Sequence, residues 1–255
     1  MPHVKRRPPP TPGSMTAALD SFRAEVRFYR EIAPALTVRV PYCYEAADGP
    51  DGTRLVLEDL SDWKEGGEPA AIARELRQLH DAWCEQAAVR WPWLRPVGAA
   101  AELVERLYEE IWPRLAEECK MPGTVRAFGA ALLGQVTVTS DRVAGIPGRT
   151  LAHGDASGRN VRTSPDGVVA FLDWEDVSCL PGVSDLAWFL VSTVNPEDWA
   201  LTREAYGPGP YLEAALPAAL VQGYLSLADT VDDEEASEGW VRRLEMGVRW
   251  ARAAD

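Results

Sequence analysis

Three residues in one polar segment of this chain have the types and the spacing that phosphoryl transfer requires. Asp155 is followed five positions later by Asn160, and Asp173 lies 13 residues beyond Asn160 at the end of an apolar stretch. A carboxylate can accept the proton of an attacking hydroxyl, and a second carboxylate with an amide oxygen suits Mg²⁺, which prefers hard oxygen ligands. The spacing therefore predicts Asp155 as a general base and Asn160 and Asp173 as metal ligands.

The stretch between the two predicted metal ligands reads as a hairpin. Residues 160–163 and 168–173 are predicted strands, and the Ser-Pro-Asp-Gly sequence at 164–167 is a turn signal. Because a hairpin returns the chain to its starting point, we expect its two ends to lie together.

The His-Gly-Asp triplet with its following Asn is rare for a chain of this composition. It would arise by chance on the order of once in ten thousand such chains. The plainer alternative is that Asp155 and Asn160 only cap a turn and that Asp173 is a strand-end turn residue. A metal-dependent hydrolase built on His153 and Asp155 is disfavoured, because the chain has only three histidines.

The segment around Asp155 resembles the catalytic segment of the aminoglycoside phosphotransferase and choline kinase superfamily. The triplet ending at Asp155, with Asn160, looks like that family's HGDxxxxN motif, and the Leu-Asp-Trp sequence centred on Asp173 is similar to its metal-binding motif. A Gly-Val-Ser-Asp-Leu-Ala sequence containing Asp185 follows, as it often does in the family. The resemblance implies that His153 and Asp185 support the catalytic loop.

The resemblance extends to the front of the chain. The Glu-Val-Arg-Phe-Tyr sequence beginning at Glu25 looks like the family's C-helix, whose glutamate pairs with a phosphate-binding lysine. Lys5 is then the candidate lysine, with Arg6 and Arg7 as competitors for the role. Their expected partner is ATP, with GTP as the alternative nucleotide, bound together with Mg²⁺.

A second front motif implies an adenine-binding hinge. The Leu-Val-Leu-Glu-Asp-Leu sequence is similar to the family's last small-lobe strand and the hinge after it. The hinge residues are expected to hold the base through their backbone. They are Glu58, Asp59 and Leu60.

The fold that the resemblance implies is α+β, a protein kinase-like arrangement of two lobes. Residues 1–61 are expected to form a small N-lobe and residues 62–255 a mainly helical C-lobe. The chain begins about where the family's third strand would lie, so an incomplete N-lobe is expected. The expected function is phosphorylation of a small-molecule hydroxyl, and the alternative is a nucleotide- or ligand-binding pseudokinase without the phosphate-covering loop.

Periodicity predicts the elements that position these residues. One helix is expected over 15–32, followed by strands at 37–46, interrupted by Pro41, and at 54–60. Further helices are expected at 68–84, 99–118, 124–143 and 184–194.

Composition excludes several classes of protein. The net charge of −13 and pI near 4.8 argue against a nucleic-acid partner, which requires a basic surface. Four widely spaced cysteines without a CxxC pair argue against a zinc site. With neither a secretory signal nor a long apolar run, we expect a cytoplasmic monomer or homodimer that does not contact a membrane. The acidic charge is compatible with a cationic acceptor.

Overall fold

The computed structural model describes residues 1–209 and 211–253, and it begins with a small antiparallel sheet. Its strands are β1 (His3–Arg7), β2 (Cys43–Gly49) and β3 (Gly52–Leu57), in the order β1-β3-β2. Gly52 has φ +113°, and a Cβ there would lie 2.0 Å from the carbonyl oxygen of Arg7. The turn between β2 and β3 therefore requires glycine.

The strand predicted at 37–46 begins later than expected, at Cys43. Pro41 has no N–H to donate to a ladder, so the residues before it cannot continue the pairing with β3. Arg39 instead forms an isolated bridge with Ala170, which ties this segment to the hairpin of the larger lobe. The partner strand is close to its prediction, at Gly52–Leu57 rather than 54–60.

The prediction of a single helix over 15–32 is wrong in one respect, because the helix is broken at Asp20. Asp20 adopts a left-handed conformation with φ 49°, which ends α1 (Met15–Ala18) and starts α2 (Ser21–Arg27) at a new angle. A π-helical turn at Phe28–Ile32 then follows. Asp is among the few residues that tolerate the left-handed region, so the break costs little conformational energy at this position.

The larger lobe is mainly helical, as predicted. Its first helices are α3 (Pro69–Trp83), capped by the side chain of Glu68, and the short α4 (Ala87–Arg90). The helix predicted at 124–143 is two helices, because Gly134 has φ +66° in the turn between them. The remaining helices are α5 (Ala101–Glu118), α6 (Gly123–Ala131), α7 (Val136–Ala144), α8 (Val183–Ser192), α9 (Trp199–Tyr206), α10 (Leu212–Ala228) and α11 (Glu234–Arg252).

Six short strands form two further sheets beneath the small lobe. The strands are β4 (Lys64–Glu65), β5 (Arg95–Pro96), β6 (Arg149–Ala152), β7 (Val161–Thr163), β8 (Val169–Phe171) and β9 (Ser178–Pro181). The predicted hairpin is confirmed as β7–β8, in the order β4-β7-β8, and β5-β9-β6 forms the second sheet. These sheets carry the loops that follow β6 and β8.

The two lobes share one buried core. Phe28, from the π turn of the small lobe, stacks on Trp174 beside the β8 loop with ring centroids 4.1 Å apart, and both side chains are fully buried. Close packing of this kind transmits the position of one element to the other. Within the residues that the structure describes, no helix combines the length and apolar character needed to cross a bilayer.

Candidate active site

Asp185 holds the loop that follows β6. Its carboxylate accepts hydrogen bonds from the backbone N–H groups of His153 (2.7 Å) and Gly154 (2.9 Å), and His80 Nε2 lies 3.0 Å away. Burial alone would raise the pKa of Asp185, but these hydrogen bonds and the nearby imidazoles hold it below its usual value. The buried carboxylate therefore fixes the backbone of the loop at the base of α8.

The imidazole of His153 joins this loop to the one after β8. Its Nε2 donates to the carbonyl oxygen of Leu172 (2.8 Å), which leaves Nδ1 to accept from the N–H of Asp155 (3.2 Å). The ring is fully buried against Trp174. His153 thus acts here on the geometry of the loop, and its side chain does not open to solvent.

Gly154 allows the two loops to touch. It has φ +87°, and a Cβ at this position would lie 2.0 Å from the carbonyl oxygen of Asp176. No other residue fits so close an approach of two backbones. The Gly of the His-Gly-Asp triplet is therefore required by packing as well as by backbone conformation.

The carboxylate of Asp155 is half-buried and held from two sides. Asn160 Nδ2 donates to its Oδ2 (2.8 Å), and the indole Nε1 of Trp188 donates to its Oδ1 (2.5 Å). Asn160 Nδ2 also donates to the carbonyl oxygen of Asp155. With its nitrogen occupied in this way, Asn160 keeps its amide oxygen available as a ligand.

The hairpin brings Asn160 next to the predicted metal aspartate. The carbonyl oxygen of Asn160 accepts the N–H of Leu172 (2.8 Å), the residue before Asp173. Asp173 itself has φ 59° and ψ 67°, a left-handed conformation at the start of the 3₁₀ turn Trp174–Asp176. Residues other than glycine are uncommon in this conformation and often occur at functional sites.

Lys5 reaches across the lobes to this carboxylate. Its Nζ lies 2.7 Å from both Glu25 Oε2 and Asp173 Oδ1, and 3.6 Å from Glu175 Oε2. Lys5 and Arg7 are partly buried on one face of β1, whereas Arg6 points to solvent on the other. Of the three competing basic residues, Lys5 alone is within 3 Å of Glu25 and Asp173.

Carboxylates outnumber cations at this point. Oxygens of Glu25, Asp173 and Glu175 lie within 4.8 Å of one another, an arrangement that could hold a cation. Burial raises the pKa of Glu25 to about 7, against the attraction of Lys5. Burial and the neighbouring Asp173 also raise the pKa of Glu175. Carboxylates that resist ionisation together in this way favour binding of a further positive charge.

Arg95 is a site residue that sequence reasoning missed. Its guanidinium donates to the carbonyl oxygens of Glu175 (2.7 Å) and Val177 (3.4 Å) and to the carboxylate of Asp176 (3.4 Å). It also lies 3.5 Å from Ser21 Oγ at the start of α2. No motif marked it, because it sits alone between α4 and α5 and reaches the loop only through the pairing of β5 with β9.

Other residues of the site were also missed. Trp188 lies one helical turn after Asp185 and so faces the same loop, a signal that the spacing contained. His80 belongs to no sequence motif, yet it supports Asp185 from α3, and its Nδ1 lies 2.8 Å from the hydroxyl of Tyr206. Glu175 and Asp176 follow Asp173 after a single residue, Trp174, and this local cluster of acidic residues was the available clue.

The predicted hinge residues, 58–60, lie where β3 ends. The N–H of Glu58 donates to the carbonyl oxygen of Tyr42, and its carboxylate binds Arg39 at 2.6 Å. Asp59 caps the following turn through the N–H of Ser61. Within the described residues the N–H of Leu60 has no hydrogen-bond partner. The side chains are thus used locally, which leaves backbone groups for any contact with a base.

The family model for the phosphotransferase enzyme family, APH, matches residues 4–230 of this chain. No curated protein sequence gives a significant match.

Several solved structures have the same fold. The apoenzyme of macrolide 2′-phosphotransferase MphH from Brachybacterium faecium is 20% identical, with 94% of this chain and 83% of that chain covered and a TM-score of 0.50. The AMP-bound complex of spectinomycin phosphotransferase APH(9)-Ia is 14% identical, with 99% and 87% covered and a TM-score of 0.58. Choline kinase LicA from Streptococcus pneumoniae is 17% identical, with 98% and 85% covered and a TM-score of 0.56. At these identities the likeness is one of fold.

These comparisons confirm the predicted α+β kinase-like fold and the predicted superfamily. The family match includes Lys5, Asp155 and Asp173, the residues that the structure gathers from the two lobes. Because it extends over most of the sequence, the chain is a member of the phosphotransferase enzyme family.

Proposed function

We propose that this protein is an ATP- and Mg²⁺-dependent phosphotransferase that phosphorylates a hydroxyl group of a small molecule. One observation carries the proposal: a half-exposed, doubly hydrogen-bonded Asp155 lies beside a loop whose Asp173 is paired with Lys5. A base for the acceptor and a charged cradle for phosphates then lie on two loops that touch each other. Both are needed for phosphoryl transfer, in which positioning and electrostatics supply most of the catalysis.

Asp155 is the proposed general base. Trp188 and Asn160 fix the orientation of its carboxylate, so its outer lone pairs can meet an acceptor hydroxyl without reorganisation. A general base of this type contributes about 10²–10⁴-fold to rate. The hydrogen bond from the backbone N–H of Asp155 to His153 Nδ1 holds the backbone of the loop in place while the side chain of Asp155 accepts the proton.

The residues beside Asp155 fit a magnesium ion. Asp173 offers a carboxylate and Asn160 offers an amide oxygen. The crowded carboxylates of Glu25 and Glu175, whose pKa values are raised, support a place here for a further positive charge. Hard oxygen donors of this kind suit Mg²⁺. When bound, the ion would neutralise charge on the nucleotide phosphates. Lys5, held by Glu25, would add a further positive charge.

The nucleotide is proposed to lie between the lobes. The AMP-bound spectinomycin enzyme supports an adenine nucleotide, and the backbone of Glu58, Asp59 and Leu60 offers the hinge for its base. GTP remains the alternative. The three compared proteins are named for different acceptors, a macrolide, spectinomycin and choline, so the comparisons favour no acceptor over another.

The test is an ADP- and GDP-release screen. The purified chain would be supplied with Mg²⁺ and either ATP or GTP, together with pools of hydroxylated small molecules, and Asp155→Ala would be the control. We expect acceptor-dependent ADP release that Asp155→Ala lacks. Nucleotide binding without product from any pool would instead support the pseudokinase alternative. Failure to bind either nucleotide would overturn the proposed function and leave only a pseudokinase that binds another ligand.

A further inference from the structure

A cleft of about 470 Å³ opens beside Asp155, and its described lining does not include Lys5. It lies between the catalytic loop and three helices of the larger lobe, α5, α7 and α10. Its volume is in the usual range for pockets that bind small molecules. A molecule in this cleft would reach the carboxylate of Asp155 directly.

The helical wall of this cleft is built from small and aliphatic side chains. Its apolar members include Val104, Val136, Val143, Ala215, Ala218 and Ala219. The polar side chains on the same wall, Thr139, Ser140, Gln222 and Ser226, are uncharged. Since α5, α7 and α10 contribute no charged residue to the described lining, this wall offers no carboxylate to a cationic group.

The charged lining residues lie outside this helical wall, and they are Arg95, Asp155, Arg159, Asp176 and Asp185. The three carboxylates among them are hydrogen-bonded or paired. Asp185 is occupied by backbone N–H groups and His80, and Asp176 faces Arg95. Asp155 has Asn160 and Trp188. The acidic residues at 229 and 232–235 do not belong to the described lining of the cleft. A polycation would therefore lose hydration along the helical wall and meet carboxylates only at the catalytic end of the cleft, which is unfavourable.

We propose that this cleft binds the acceptor, and that the acceptor is an uncharged, predominantly apolar alcohol rather than a polycation. This inference rests on the proposed phosphotransferase function. In the reaction, the acceptor oxygen bonds to the γ-phosphorus while its proton passes to Asp155. The bond from the γ-phosphorus to the β–γ bridging oxygen breaks, and ADP leaves with that electron pair.

The binding part of the proposal can be tested without turnover. The probe is N-phenyl-1-naphthylamine, a neutral apolar dye whose fluorescence rises in apolar sites, titrated into the full chain. Ala218→Phe would fill the cleft from α10, and Ala214→Phe is its matched control because Ala214 is exposed on the same helix outside the lining. We expect the dye to bind Ala218→Phe at least roughly tenfold more weakly than it binds the wild type, because a tenfold loss of affinity requires only a small loss of contact energy. The control should bind as the wild type does.

A second variant guards against loss of folding. Ala101→Phe fills the cleft from α5, and its far-UV circular dichroism and melting temperature would be compared with those of the wild type. It should weaken dye binding in the same way. The proposal is overturned if the wild type does not bind the dye, or if a folded Ala218→Phe or Ala101→Phe binds it unchanged.

The charge part of the proposal has its own test. Ser140 is half-buried in the wall, so Ser140→Asp adds a carboxylate there and Ser140→Asn is the neutral control. We expect Ser140→Asp to weaken dye binding several-fold and to gain affinity for kanamycin, a polycation, whereas the wild type binds the dye and not kanamycin. Wild-type binding of kanamycin that displaces the dye would contradict the proposal.

Nucleotide binding distinguishes failure of this inference from failure of the proposed function. Calorimetry with Mg²⁺ and ATP on the same variants should be unchanged, because none of them touches Lys5, Glu25 or Asp173. Unchanged nucleotide binding with the wrong acceptor preference would sink only this inference. Loss of nucleotide binding by the wild type would sink the proposed function, while dye binding would still report on the cleft.

Discussion

The two loops that meet at Gly154 are stabilised in opposite ways. The catalytic loop, residues 153–160, is held by a buried carboxylate, Asp185, whose hydrogen-bond donors lower its pKa. The metal loop, residues 173–176, carries three carboxylates of its own, and burial raises the pKa of both Glu175 and Asp176. One loop has its negative charge matched by donors, and the other has an excess.

This difference indicates different tasks for the two loops. A loop with satisfied buried groups keeps one geometry, which a general base needs. A loop with surplus negative charge is complete only when a cation joins it, which suits a metal-binding segment. Substitutions in the two loops should accordingly affect different properties: stability and base orientation in the first, and nucleotide affinity in the second.

The largest effect is expected at Asp155, the proposed catalytic base. Asp155→Ala should reduce turnover by about 10²–10⁴-fold, roughly 3–5 kcal/mol of barrier, because proton acceptance is lost. Steady-state ADP release would measure it. Asp166→Ala, in the exposed turn of the hairpin, is the control and should retain activity. Substantial residual turnover in Asp155→Ala would contradict the role of Asp155 as base.

The metal loop should show its effect on binding. Asp173→Asn should weaken Mg²⁺-dependent nucleotide binding by at least about 100-fold, since even groups behind the metal ligands commonly matter 10–100-fold. Its free energy of unfolding should stay equal or rise slightly, because a carboxylate is removed from a crowded cluster. Calorimetry with and without Mg²⁺, together with urea unfolding, would measure both. Unchanged Mg²⁺ dependence would remove Asp173 from the metal site.

A substitution that affects the catalytic loop should instead lower the stability of the fold. Asp185→Asn should lower the free energy of unfolding by about 2 kcal/mol, because its amide NH₂ would face buried donors that lose their acceptor. Urea unfolding near neutral pH would measure this change. If Asp173→Asn destabilised the fold more than Asp185→Asn did, the contrast between the two loops would be wrong.

The difference in stability between the wild type and Asp185→Asn should also depend on pH. The native pKa of Asp185 lies below its ordinary value of 3.8, so its stabilisation is complete above about pH 3.8 and is lost as the pH falls through the native pKa. The stability gap between the wild type and Asp185→Asn should therefore be constant near neutral pH and narrow below pH 3.8. Urea unfolding across that range would test it, and a gap that widened in acid would contradict the assignment.

The smallest effect is expected at Arg95, a positioning residue for the metal loop. Arg95→Lys cannot reproduce the forked contacts with Glu175, Val177 and Asp176, so the KM for the nucleotide should rise by roughly fivefold with little change in kcat. Arg6→Lys, on the exposed face of β1, is the control. A fall in kcat without a change in KM would indicate that Arg95 acts on chemistry instead of nucleotide position.

Local features of this protein were accessible from sequence. The β7–β8 hairpin follows from a turn signal between two apolar runs, and α3 follows from its periodicity and the capping position of Glu68. The broken helix at 15–32 was not predicted, because periodicity alone does not show that Asp20 adopts a left-handed conformation. Family resemblance selected Lys5 from three basic neighbours. Only the sheet shows on which face of β1 Lys5 lies.

The sequence by itself determined the type and spacing of the groups between Asp155 and Asp173, because backbone geometry limits where a short hairpin can place its ends. Only the tertiary structure decided which distant partners they meet. Lys5 and Asp173 are 168 residues apart, and Asp155 meets Trp188 from another element. Arg95 and the uncharged wall of the cleft depend likewise on the packing of separate helices and sheets. Such contacts arise from close packing across the whole chain, which no local pattern encodes.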